Sequence, residues 1–151
     1  MSPTEPSSDR ASGAALPAVD DVLDDRYRIV EQIGAGGMGA VFAARDLEDD
    51  QDVALKVMLR DDSERPDWAA RFLREARAAR AIDSPHVASV TRVGKLPNDT
   101  PYMVMELLEG EGLDRVIRRR APLPAEDAVG YLLQALEGVA EAHAIGLIQR
   151  D

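Results

Sequence analysis

Apolar and polar positions change their spacing several times along the chain, and each change marks an element. Residues 27–33, Tyr-Arg-Ile-Val-Glu-Gln-Ile, alternate loosely before meeting Gly34, as a strand does when it runs into a glycine turn. The apolar runs at 40–44 and 53–59 flank Glu48, Asp49, Asp50, Gln51 and Asp52, which predicts strand, polar reversal and strand. A polar break follows at 61–66, with Pro66 placed where a helix can begin. Over residues 67–82, Trp68, Phe72, Ala76 and Ala79 recur at helical spacing with Arg and Glu between them, a stripe we read as core.

Ser84-Pro85 ends that helix, residues 87–93 read as a strand, and Leu-Pro-Asn-Asp-Thr-Pro at 96–101 as a turn. Residues 102–108 form a near-continuous apolar run interrupted by Glu106, followed by an acidic link, Glu109-Gly110-Glu111-Gly112. Two helices are expected next. A short one covers 113–120 and ends in three arginines; a longer one covers 125–144, with Val129, Leu132, Leu133, Leu136, Val139 and Ala140 along one face and Gly146 closing it. Residues 1–24 carry only Leu16, Val19, Val22 and Leu23 to bury among Ser, Pro, Thr and acids, so they are expected to be a disordered leader.

Composition narrows the function. A chain of 151 residues has room for one domain, and a formal net charge of -10 argues against nucleic acid as a partner, because phosphate contacts need clustered Lys and Arg. The absence of cysteine removes disulfides, zinc fingers and thiol catalysis together and fits a reducing compartment, so a cytoplasmic location is expected. No apolar run approaches the ~20 residues of a membrane helix, and no basic-then-apolar start suggests a secretory signal. His86 and His143 have no partner at metal-ligand or triad spacing, so no metal ligands are assigned.

The chemistry concentrates in Gly34-Ala35-Gly36-Gly37-Met38-Gly39 and, beyond the acidic turn, Val53-Ala54-Leu55-Lys56. Glycines at the first, third and sixth positions let successive N–H groups approach phosphate oxygens. The pattern occurs both in dinucleotide-binding βαβ units and in the phosphate-covering hairpin of protein kinases. Val41 two residues after the last glycine, with Val-Ala-Leu-Lys in the following strand, selects the hairpin. A dinucleotide unit needs a helix starting at Gly39 and a ribose-binding acid about 20 residues on; a P-loop is excluded because no Gly-Lys-Ser or Gly-Lys-Thr follows.

From about residue 25 to Asp151, the chain resembles the bacterial branch of the eukaryotic-like serine/threonine protein kinases. The features recur in order: IGAGGMGAV, VALK, the helix around RFLREARAAR, YMVMELLEGEGL, and AHAIGLIQRD where the family has AH..G..HRD. The resemblance implies an α+β, protein-kinase-like fold: a five-stranded antiparallel first lobe and hinge at 25–108 with one packed helix, then the first helices of a second lobe at 109–151. It also implies ATP with magnesium, and protein hydroxyls as substrate. Ile33, Gly34, Ala35, Gly36, Gly37, Met38 and Gly39 would cover the triphosphate, and Val41 and Ala54 would press on the adenine. Lys56 would hold the α- and β-phosphates, with Glu75 as its counter-charge. Met105 would guard the back of the adenine pocket, the main chain of Glu106 and Leu108 would face the base edge, and Asp151 would orient the substrate hydroxyl.

Two departures from the family pattern bear on activity. The family's Asn and Asp-Phe-Gly metal ligands come after the position of Asp151, so this segment by itself is expected to be inactive. Gln149 also stands where the family has His. A truncated pseudokinase acting as a nucleotide-binding or scaffolding module is therefore an alternative, and a dinucleotide-binding oxidoreductase a more distant one. The apolar face of the 125–144 helix is expected to lie exposed.

Overall fold

The computed structural model describes residues 16–36, 39–58 and 68–147, apart from the side chains of Trp68 and Glu75. The alternating segments become β2 (Tyr27–Gly36), β3 (Gly39–Asp46) and β4 (Gln51–Val57), preceded by a two-residue strand β1 (Val22–Leu23). Helix α1 (Trp68–Ala79) leads to β5 (Val90–Lys95) and β6 (Pro101–Glu106), and these to α2 (Leu113–Arg120) and α3 (Ala125–Ala144). All strand pairs are antiparallel, in the order β1-β2-β3-β4-β6-β5.

Strand parity sorts the side chains onto two faces. One face carries Tyr27, Ile29, Ala40, Phe42, Ala44, Leu55, Val57, Tyr102 and Val104, all buried in a single cluster. The opposite face carries a smaller cluster in which Phe72 and Ala76 of α1, one helical turn apart, pack with Met58, Leu73, Val93 and Met103.

The sheet curls until its two edges meet. Asp24, in the turn after β1, accepts a hydrogen bond from the Tyr102 hydroxyl of β6, and its Oδ2 lies 3.4 Å from an Arg92 guanidinium nitrogen on β5. Tyr27 and Tyr102 meet edge to face with ring centroids 6.1 Å apart. Gly94 sits opposite Tyr102 in the ladder, and a Cβ there would come within 2.7 Å of the ring, so glycine makes room for the tyrosine to lie across β5. Burial, and then the bond to Asp24, push the Tyr102 phenol well above its usual range.

A second tie closes the β3–β4 turn. Arg26 grips Asp46 through Nε at 2.8 Å and a terminal nitrogen at 2.6 Å, while Asp46 Oδ1 also accepts the Glu48 N–H at 3.0 Å. The Arg26 guanidinium holds the buried Asp46 carboxyl below the usual carboxylate range.

The structure corrects three expectations. The sheet has six strands rather than five, because residues 16–24 are not all leader: Val22 and Leu23 pair with Arg28 and Tyr27, and Leu23 packs on the main core. Composition could not show this, since the strand is stabilised by an edge it borrows from β2 and by Asp24 reaching across the seam. Residues 1–15 lie outside the described residues. The helix expected over 67–82 ends at Ala79, its last turn tightening through Ala81 N–H to Ala78 O and Ile82 N–H to Ala79 O. The strand expected from residue 87 starts at Val90, because Ser84 takes the N–H groups of the next residues into a turn, His86 through its hydroxyl and Val87 through its carbonyl.

Both later helices fall where the spacing put them. No residue of α2 is buried, and among the residues of α3 only Gly138 is. Val129, Leu132, Leu133, Leu136 and Val139 all lie exposed, as expected for that face.

Candidate functional site

The site is written in the registers of β3, β4 and β6. Val41 pairs with Lys56 and Lys56 with Met103; Ala43 pairs with Ala54 and Ala54 with Met105. Two cross-strand rows thus stand side by side on the face opposite the main core, with neighbouring Cβ atoms about 5 Å apart. The first row ends at Met103, which packs with Phe72 and Ala76, so α1 stands beside the lysine row. The second row is made of small side chains, Ala43 and Ala54, both buried, and ends at the half-buried Met105. Such a floor is flat and apolar, with one cation at its side.

Lys56 is half-buried in the middle strand, and among the described residues it has no ion-pair partner. Glu75, the expected counter-charge, has its backbone in α1 directly before the buried Ala76; its side chain lies outside the described residues, so the pair is not assigned.

The glycines divide into two kinds. Gly36 and Gly39 pair across the end of the β2–β3 hairpin, whose tip residues Gly37 and Met38 lie outside the described residues. Gly39 has φ +147°, and a Cβ there would sit 2.3 Å from the Val57 carbonyl oxygen, so its identity is demanded by the fold. A Cβ on Gly34 would make only ordinary contact with Val41, and one on Gly36 would meet nothing within 4 Å. The chain's own packing therefore does not require glycine at Gly36. Ile33 occupies the irregularity of β2 between Gln32 and Gly34 and is about half exposed, while Ala35 pairs with Ala40.

At the far end of the floor, Glu106 closes β6 opposite Val53, and Leu108 lies exposed beyond the strand. Asp151 and Gln149 lie outside the described residues. Among the described residues, no group of three or more His, Cys, Asp or Glu side chains is arranged to hold a metal ion, and no helix is long and apolar enough to cross a membrane.

The structure thus brings Val41, Ala54, Lys56 and Met105 onto one face, with Gly34 and Gly36 at its rim and Glu106 at its end. It adds Ala43 and Met103, which the motif left out. Strand parity carries the missing signal: Ala43 is two residues from Val41, and Met103 two from Met105.

Known proteins resemble this chain in sequence and in fold. The sequence profile of the protein kinase domain matches residues 27–151. The serine/threonine-protein kinase PrkC of Bacillus subtilis is 34% identical over 129 residues, which cover 85% of this chain and 20% of that protein. Serine/threonine-protein kinase PknA of Mycobacterium tuberculosis is 37% identical over 139 residues, or 89% of this chain and 32% of that protein. The chain therefore spans between a fifth and a third of the length of these relatives. The crystal structure of the Mycobacterium tuberculosis PknI kinase domain superposes with a TM-score of 0.77 at 23% identity, covering 91% of this chain and 56% of that one. Sequence and fold agree: the chain belongs to the protein kinase domain family.

Proposed function

We propose that this chain supplies the nucleotide-binding part of a serine/threonine protein kinase, and that ATP binds against the floor formed by Val41, Ala43, Ala54 and Met105. The observation that carries this reading is the joining of a flat apolar surface, one half-buried lysine and an unobstructed glycine rim on a single face. The purine would lie on the small side chains. Lys56 would meet the α- and β-phosphates as a point charge, its stem covered by the neighbouring rows. Gly34 and Gly36 would let the β2–β3 hairpin come down on the phosphates, which explains a glycine that internal packing does not need.

ATP supplies the phosphoryl group when bound; what this chain's own residues do is hold and orient it. In a complete kinase, Glu75 would steady Lys56 and Asp151 would orient the hydroxyl of a protein substrate. Magnesium, which the family's reaction uses, finds no ligand cluster among the described residues, and no role here is assigned through it.

Calorimetric titration tests the reading. Lys56→Met should weaken ATP about ten-fold or more while leaving adenosine nearly unchanged, because it removes a phosphate contact and leaves the floor intact. Equal losses for the two ligands would show that Lys56 is not the phosphate ligand. Failure of the parent protein to bind either would remove the nucleotide reading altogether.

A further inference from the structure

The two apolar clusters of the sheet differ in sulfur. Among the described residues, the main core holds aromatic, branched and alanine side chains and no methionine. The smaller cluster on the opposite face seats α1, and the sheet side offers it Met58 after β4, Met103 of β6 and Val93 of β5. Two of these three are thioethers. The helix contributes Phe72, Leu73 and Ala76, and it meets the sheet along β5 and β6. Met105, the third methionine among the described residues, lies two positions along β6 at the end of the alanine floor, outside this seat.

Methionine suits such a seat because its unbranched, polarisable chain fills irregular space between helix and strands. It also carries a liability, since oxidation turns the thioether into a polar, chiral sulfoxide that an apolar contact does not accommodate. The chain has no cysteine, so no thiol competes for an oxidant and sulfur chemistry falls on methionine alone. Exposure then orders the described sites. Met58 is 6% exposed and shielded, whereas Met103 and Met105 are half-buried and open to a small solute. Met103 is therefore the methionine that is both within reach of solvent and in contact with the seat of α1. Only Met58, Phe72 and Ala76 are fully buried there, so the loss of one neighbouring apolar contact is not diluted.

We propose that Met103 is an oxidation site through which hydrogen peroxide loosens α1 from the sheet. The sulfur lone pair attacks one peroxide oxygen, the O–O bond breaks and an S=O bond forms, and the other oxygen departs as water with both protons. Sulfur loses two electrons and the peroxide gains them. The apolar side chains of the seat offer the new oxygen no hydrogen-bond donor, so the side chain turns out of the seat and the helix loses the contact. The main core, free of methionine, keeps the curled sheet intact. Because α1 stands beside the row of Lys56, the change reaches the surroundings of the candidate site without altering its floor. This modification does not depend on the nucleotide reading above.

Peroxide treatment of the full chain, read by fragment mass spectrometry and by amide hydrogen exchange, tests the site. Sulfoxide should appear at Met103 ahead of Met58. The amides of α1 should then exchange about ten-fold faster, while those of β3 keep their protection. Met103→Leu conserves volume and removes the sulfur, so its α1 should be equally protected before and after peroxide. Met105→Leu should loosen like the parent. Met103→Gln, with an amide oxygen near the place of the sulfoxide oxygen, should loosen α1 with no peroxide present. Methionine sulfoxide reductases acting on both epimers should restore the oxidised parent. An unmodified Met103 in the treated chain overturns the proposal, as does unchanged exchange in α1 once Met103 carries the oxygen. Equal loosening of β3 overturns it too, since the effect would then be general unfolding. So does loosening of α1 in treated Met103→Leu, which would place the effect on another methionine.

Discussion

Phe42, in the middle of the curled sheet, is 1% exposed, and Leu132, in the middle of α3, is 59% exposed. Both belong to stretches whose apolar spacing is clear, yet one stretch is buried by its own lobe and the other is not. The sheet can do this because it curls: once Asp24 joins Tyr102 and Arg92 across the seam, the inner face has strands on every side of it. A helix has no such resource. Its apolar stripe reaches only outward, and among the described residues nothing lies over Val129, Leu132, Leu133 and Leu136. Local patterning thus states which face seeks burial, while only a curled sheet also provides the burial.

Truncation of the two residues should break the comparison most sharply. Phe42→Ala should cost about 3–4 kcal/mol, transfer and cavity terms together, whereas Leu132→Ala should stay within about 0.5 kcal/mol. Urea unfolding of each variant measures both, and equal losses would mean that α3 is covered in solution.

Glycine offers the next contrast. Gly39→Ala forces a side chain into a left-handed backbone and against the Val57 carbonyl, which should cost about 2 kcal/mol or more. Gly36→Ala should leave thermal stability within a degree or two and instead lower ATP affinity. A Gly36→Ala protein that melts as early as Gly39→Ala would place both glycines in the fold.

The two ties of the lobe differ in their response to pH. Arg26 holds the Asp46 carboxyl below its ordinary value, so the stability it contributes is present above the unfolded carboxylate pKa of about 4 and is lost as pH falls below that toward the folded value. Asp46→Asn should therefore be less stable than the parent by about 1–2 kcal/mol at neutral pH, with the gap closing below pH 4. For Tyr102 the sign reverses. A phenol held above its ordinary value contributes stability fully present below the unfolded pKa of about 10 and lost as pH rises beyond it. Tyr102→Phe should cost about 1 kcal/mol at pH 8 and show a shallower fall in melting temperature between pH 9 and 11. Parallel melting curves for parent and variant would rule out this role.

The smallest effect on stability belongs to the exposed face. Replacing Leu132 and Leu136 together by Gln should change unfolding free energy by no more than about 0.5 kcal/mol, yet should reduce the fluorescence of an apolar dye by half or more. An unchanged dye signal would locate the sticky surface elsewhere.

Much of the candidate site is legible in the sequence. Gly34 through Gly39, Val41, Ala54 and Lys56 follow from motif spacing, because a hairpin between two short strands leaves few ways to place a glycine loop beside a lysine. Met105 and Glu106 came only with the family resemblance, since their run of apolar residues has no periodicity of its own. Met103 and Ala43 lie outside the motifs, although strand parity contains them. Gly39 could not be told from Gly36 by sequence, because the difference is a carbonyl 2.3 Å away contributed by β4.

By itself, the sequence determined the order and type of the elements, the faces on which they are apolar, and the strand that bears the lysine, because turns, caps and side-chain periods are local properties of the chain. Only the tertiary structure decided that Val22 and Leu23 join the sheet, that Asp24 closes its seam, that the Glu106 carboxylate takes the N–H of Ser89, and that Gly138 receives the loop at His86. Each of these depends on groups far apart in sequence being brought within a few ångströms, and no local pattern records such a meeting.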